Sequence, residues 1–366
     1  PHQRTTRFRL RCGIHETHWN MRTHHYPLLL TISLIPASAS AQAYGELDLN
    51  DLRARFYAHG LVGLDLGTDQ SAFEVPKNAG THPMYSAGLW IGGTTVDSQP
   101  HLAAMMYEGG AEADYYPGPL TNDGSASTDA DVMAQFDHIW IVTREEIGRH
   151  LTYYACLADP DCDVAAEFPD GYTIPPSFFD WPAINPAPGY DLYLAPFMDM
   201  NNDGDYIPAD GDAPCIMGDQ AAFFVFNDKG GPHVFSGGLP IGVEIRAMPF
   251  VFDGDSPALD QTVFIHYRII NQGTLTLNDA HIGFFMDPDL GCSEDDQIGS
   301  DPARSLIYAV NGDDNDEDCM GLMGYGTQPP AFGVAQLRGP RMDSNDLDDP
   351  VENTMLELAE QVLKLT

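Results

Sequence analysis

Apolar side chains fall in short runs along this chain, separated by turn-forming residues. The first clear alternation is Leu52-Arg53-Ala54-Arg55-Phe56-Tyr57. Leu52, Ala54 and Phe56 take one side and the two arginines the other, the period of two expected of a half-buried strand. Residues 84–91, 102–107 and 138–142 are further short strand candidates. Residues 221–226 are apolar at every position, which predicts a central strand covered on both faces. Two longer strands follow. In one, Ile241, Val243, Ile245 and Ala247 oppose Glu244 and Arg246; in the other, Val263, Ile265, Tyr267 and Ile269 oppose His266 and Arg268. After a turn near Gln272-Gly273, Ile282, Phe284 and Met286 share a face.

Helical periodicity is scarce. Thr143 with Glu146 three residues on is a capping-box pattern that opens a helix over 144–157, because each side chain satisfies an amide the helix leaves orphaned. A second helix is expected over 351–365, where Met355, Leu356, Ala359, Val362 and Leu363 form one stripe after the polar linker 343–350. Alternating strands punctuated by 35 glycines and 28 prolines predict an all-β fold: antiparallel β-sandwiches with long Pro/Gly-rich loops and one or two short helices.

The amino end reads differently. Residues 1–20 carry basic side chains without apolar periodicity and read as upstream translated sequence. From Met21 come Arg22, the apolar run 28–35 and the small residues Ala37-Ser38-Ala39-Ser40-Ala41. This is the layout of a secretory signal over 21–41, cleaved before Gln42. The apolar run is about half the ~20 residues needed to span a bilayer. Beyond it the expected organisation is a β-rich region at 42–215, a β-sandwich at 216–340, and a linker with a carboxy-terminal helix at 341–366, after which the natural chain is expected to continue. The expected location is outside the cell or on its surface, without membrane insertion after cleavage.

Charge sharpens this picture. The whole chain has 17 basic and 54 acidic side chains and a formal net charge of −37. Cleavage after Ala41 would remove five arginines and one glutamate, taking the charge to −41. Nucleic acid is a poor partner for such a surface, and clustered carboxylates are relieved by divalent cations. Five cysteines follow residue 41. In an exported chain they read as disulfides: Cys156 with Cys162 closing a small loop, and Cys292 with Cys319 tying down an acidic segment. Cys215 is left unpaired or paired beyond the chain.

The most specific chemical pattern is in residues 199–210. Asp199, Asn201 and Asp203 stand at positions 1, 3 and 5 of a calcium loop. Gly204 supplies the bend at position 6, Asp205 offers its carbonyl at position 7, and Asp210 closes at position 12. Calcium needs six to eight oxygen ligands, and a bent loop gathers them from one short segment. The stretch resembles the calcium loops of dockerin modules and thrombospondin-type repeats, although Pro208 and the absence of flanking helices depart from a paired EF-hand. A second metal site is expected from Asp287, Asp289, Asp295, Asp296 and Asp301. The denser acidic run 311–318 lacks ligand spacing. In the proline-rich stretch 169–189, Tyr172, Phe179 and Trp181 fit two roles: stacking on a sugar ring, or pinning the loop to the sandwich.

Several strings occur in order: Phe73-Glu74-Val75-Pro76-Lys77, Ala87-Gly88-Leu89-Trp90-Ile91-Gly92-Gly93, Tyr116-Pro117-Gly118-Pro119-Leu120, Gly218-Asp219-Gln220-Ala221, Phe226-Asn227-Asp228, Asp287-Pro288-Asp289-Leu290-Gly291 and Pro329-Pro330-Ala331-Phe332-Gly333-Val334. Over roughly 47–340 the chain resembles the amino-terminal region of large secreted Bacteroidota proteins. Many of these carry a carboxy-terminal type IX secretion sorting domain. The resemblance implies export and no assigned reaction.

Eight histidines follow the expected cleavage point without zinc-ligand spacing, and no nucleophile elbow, phosphate loop or dinucleotide fingerprint is present. The expected function is therefore a calcium-stabilised cell-surface or adhesion protein contacting surface or matrix components. A glycan-binding module and a secreted polysaccharide or ester hydrolase are the alternatives.

Overall fold

The computed structural model describes residues 42–339 apart from 110, 111 and 255, together with the backbone of Leu356–Leu365. The expected upstream segment, signal peptide and polar linker lie outside the described residues. Within them the chain is an antiparallel β-sandwich, as its alternation predicts. The larger sheet has nine strands. Eight run in the order Gln297–Asp301, Leu306–Val310, Ala331–Gln336, Leu356–Leu365, Thr262–Asn271, Val243–Val251, Gln220–Asn227 and Tyr116–Pro117, and Trp140–Thr143 also pairs with Gln220–Asn227. The facing layer has two three-stranded parts. One is Tyr44–Leu47, Arg53–Tyr57 and Phe73–Glu74; the other is Asn278–Asp287, Ser86–Thr94 and Pro100–Ala103. Val62 bridges them by pairing with both Phe56 and Ala87.

The Gln220–Asn227 strand is buried at all eight positions, because both of its faces are covered. Ala222, Phe224 and Phe226 enter the core between the layers, with Phe56, Leu89, Ile245 and Tyr267. Ala221, Phe223 and Val225 enter a second core, with Phe178, Trp181 and Phe250. Helices close that second core, chiefly Arg144–Ala158. Thr143 and Glu146 form its expected capping box: Thr143 N–H donates to Glu146 Oε2 at 2.9 Å, and Glu146 N–H donates to Thr143 Oγ1 at 3.2 Å. The described residues hold five short α-helices, more than the one or two expected, since the second face of the large sheet needs a cover.

Three expectations are corrected. First, residues 42–215 and 216–340 are not separate units: Trp140–Thr143 pairs with Gln220–Asn227, and Ser86–Thr94 pairs with Asn278–Asp287. Each half supplies strands to both layers, so neither buries its apolar faces alone. Second, Leu356–Leu365 is a strand rather than the end of a helix over 351–365. It sits between Thr262–Asn271 and Ala331–Gln336. A bulge opposite Tyr267 resets the alternation, so that Leu356 pairs with Ile269 before it and Leu363 with Val263 after it. A strand interrupted this way places apolar residues at spacings that mimic a helical stripe. Third, Glu244 and Arg246 are not on a solvated face. They are 0% and 4% exposed, because the chain around Leu120 and Asp191 folds over that side of the sheet.

Cys156–Cys162 and Cys292–Cys319 are disulfides, as expected. Cys215 is disulfide-bonded too, which corrects the expectation that it is unpaired or paired beyond the chain.

Candidate metal centre

The 199–210 segment leaves the strand Phe197–Met198, which pairs with Ala213–Pro214, so that both ends of the loop are held together. Gly204 adopts φ +86, a conformation side chains with a Cβ rarely take, and its carbonyl accepts from the Tyr193 hydroxyl at 3.1 Å. The bend turns the polar side chains onto the loop's own backbone. Asp199 Oδ1 accepts from the N–H of Asn202 at 2.6 Å, and Oδ2 from that of Gly204 at 2.9 Å. Asn201 Oδ1 accepts from Asp203 N–H at 3.0 Å, and Asp203 Oδ1 from Asp205 N–H at 2.9 Å. Positions 1, 3 and 5 thus bind one turn. The Asp205 and Asp210 side chains are exposed. Asp210 ends the single 3-10 turn Pro208–Asp210, where its charge is felt by Tyr154.

The carboxylate behind the loop is Asp212, which sequence spacing missed. It is fully buried; Oδ1 accepts from Met200 N–H and Oδ2 from Ile207 N–H, each at 2.8 Å. Burial pushes its carboxyl above the usual range, the two amides oppose this, and the charges of Asp199 and Asp203 push it further up. Three acidic groups therefore repel across one small loop. No three His, Cys, Asp or Glu side chains among the described residues stand close enough together to hold a metal. A calcium ion here would draw on the Asn201 amide oxygen and on backbone carbonyls as well, which calcium accepts.

The second expected cluster is divided. Asp301 caps the 3-10 turn Pro302–Arg304 and pairs with Arg304. Asp287 accepts from the Tyr107 hydroxyl at 2.8 Å, and its charge raises half-buried Asp289 after desolvation does. Asp295 is exposed. Asp296 accepts from Leu290 N–H through Oδ2 at 2.8 Å, whereas its Oδ1 is enclosed without a partner. Burial lifts the Asp296 carboxyl to about 6, helped by the charges of Asp316, Asp289 and Asp295. Asp316, from the acidic run 311–318, is 2% exposed and accepts from the N–H groups of Cys292 and Tyr325. Buried Asp114 and Asp228 anchor loops in the same way. Part of the acidity thus serves as internal acceptors, which spacing alone does not reveal.

Of the two roles open to the aromatics of 169–189, Trp181 takes the pinning one. Trp181 is 3% exposed, packs on Phe223 and donates its Nε1–H to Pro196 O. Tyr172 packs on Tyr153 and Phe168. Phe179 alone is well exposed. Trp181 and Phe178 pin the proline-rich loop, because their rings fill the face of the large sheet that the second layer leaves open.

Comparison with known protein families, characterised proteins and solved structures returns no match to this chain. No helix among the described residues is long and apolar enough to cross a membrane.

Proposed function

We propose that this chain is an exported structural protein of the cell surface or extracellular matrix, of adhesion type, steadied by calcium at the 199–212 turn. The observation that carries the reading is the closed turn itself. Asp199, Asn201 and Asp203 fold onto one glycine-bent loop with the buried carboxylate of Asp212 behind it. A hard divalent cation offsets the repulsion among these acids, and a ligand bound to the folded form alone stabilises it by mass action. The disulfides support export, as does the resemblance to secreted Bacteroidota proteins.

Two measurements test the reading. Thermal unfolding in millimolar calcium and in chelator should differ for the native chain and agree for Asp203→Ala; identical midpoints for the native chain overturn the calcium assignment. Surface labelling of expressing cells should modify the protein, and its retention inside the cell overturns the assignment of location.

A further inference from the structure

The outward face of the smaller layer carries a contiguous strip of aromatic rings. Ser86–Thr94 and Asn278–Asp287 send Leu89, Ile91, Ile282, Phe284 and Met286 into the core, so Trp90 and Phe285 stand on the opposite side. Their rings are nearly parallel, 7° apart, with centroids 6.0 Å apart. Tyr107 meets Phe285 edge-on at 5.5 Å, and Tyr85, 5.8 Å from Tyr107, ends the strip where it packs in against the core. Trp90 and Tyr107 are each 37% exposed. The Trp90 Nε1–H donates to Met105 O at 2.9 Å, which fixes the indole in place.

Carboxylates gather at the tyrosine end. The Tyr107 hydroxyl donates to Asp287 Oδ2 at 2.8 Å and the Tyr85 hydroxyl to Asp69 Oδ1 at 2.7 Å, while Asp289 lies within the field of both tyrosines. Phe285 pairs with Gly88 and Trp90 with Gly283. Covering bare glycine backbone accounts for the rings' places in the register, but not for their exposure or for the acids at their edge. Aromatic faces and carboxylates share one preference: both attract cations, and guanidinium groups also stack flat on such rings.

We propose that this strip is a docking surface for a basic segment of a partner protein, with arginine side chains seated over Trp90 and Phe285 and paired with Asp287 and Asp69. The inference names a partner chemistry for the adhesion reading and rests on it only for placing the surface outside the cell.

The test is titration of the full chain with a fluorescent peptide of alternating arginine and serine, with a glycine–serine peptide and a neutral glucose oligosaccharide as controls. The arginine peptide should bind, more weakly as sodium chloride rises. Trp90→Ala should weaken binding about fivefold, the loss expected of one cation–π contact, while Trp90→Phe retains most of it. Asp287→Asn combined with Asp69→Asn should weaken binding without touching the indole, so the test survives if Trp90→Ala fails to fold. Equal binding by Trp90→Ala and the native chain, or a preference for the oligosaccharide that salt does not alter, overturns the proposal. Running the titration in chelator and in calcium separates this result from the calcium reading: the peptide should bind in both.

Discussion

Arg246 Nε lies 2.7 Å from Glu244 Oε1, two residues apart on one strand and both inside the protein. Arg246 also donates to Asp191 Oδ2 at 2.6 Å and to the Tyr193 carbonyl at 2.7 Å, and Glu244 Oε2 accepts from Leu120 N–H at 2.9 Å. The ion group therefore sews two surface segments to the centre of the large sheet. Arg246→Met leaves Glu244 charged, buried and without its partner. The expected loss is about 3–5 kcal/mol, read as a drop in urea midpoint; a midpoint within error of the native chain would show that the group contributes nothing net.

The Cys292–Cys319 and Cys156–Cys162 crosslinks should differ in weight. Cys292–Cys319 spans 27 residues and Cys156–Cys162 spans 6. Loop-closure entropy grows with loop length, which gives about 3.5 kcal/mol for the longer and about 2.3 kcal/mol for the shorter. Paired Cys→Ser variants, compared by equilibrium unfolding, should rank in that order; a larger loss at Cys156–Cys162 contradicts it.

Stability should respond to pH through two groups of opposite sign. His59 is fully buried and held down to about 4 by desolvation, against a hydrogen bond to Glu108 O. Its folded pKa lies below the unfolded value, so it supplies stability above about pH 6.5 that is lost as pH falls toward 4. Asp296 is raised to about 6, so its contribution is full below its unfolded pKa and lost as pH rises through 6. His59→Phe should flatten the acid side of the stability profile, and Asp296→Asn should raise stability at pH 7 relative to pH 4. Profiles parallel to the native one would refute both.

At the 199–212 turn, metal and backbone roles can be told apart. Asp212→Asn sets an amide donor against the N–H of Met200 or Ile207, at a cost of about 1–3 kcal/mol in calcium and in chelator alike. Asp203→Ala should instead abolish the gain from calcium, which reaches about 2.7 kcal/mol when free metal is a hundred times Kd. Calorimetric unfolding of both variants under both conditions measures the difference. A calcium gain that survives Asp203→Ala removes that residue from the site.

Local pattern made the strands legible: alternation at Leu52, Ala54 and Phe56, the wholly apolar stretch 221–226, and the Thr143–Glu146 cap each specify a backbone state within a few residues. Cysteine spacing anticipated Cys156–Cys162 and Cys292–Cys319, where only near neighbours in the chain had to be matched, but not the bond at Cys215. Tertiary structure decided what depends on residues far apart. It set the two cores shared across residue 215 and the burial of Trp181, and it put Asp212 and Asp316 to work as internal acceptors. It also made Leu356–Leu365 a strand, where partners on either side and one bulge overrode an apparent helical stripe. A sequence records which side chains want to leave water, but the surface that receives each one is built by distant segments, and that surface determines whether a charge is solvated, paired or enclosed.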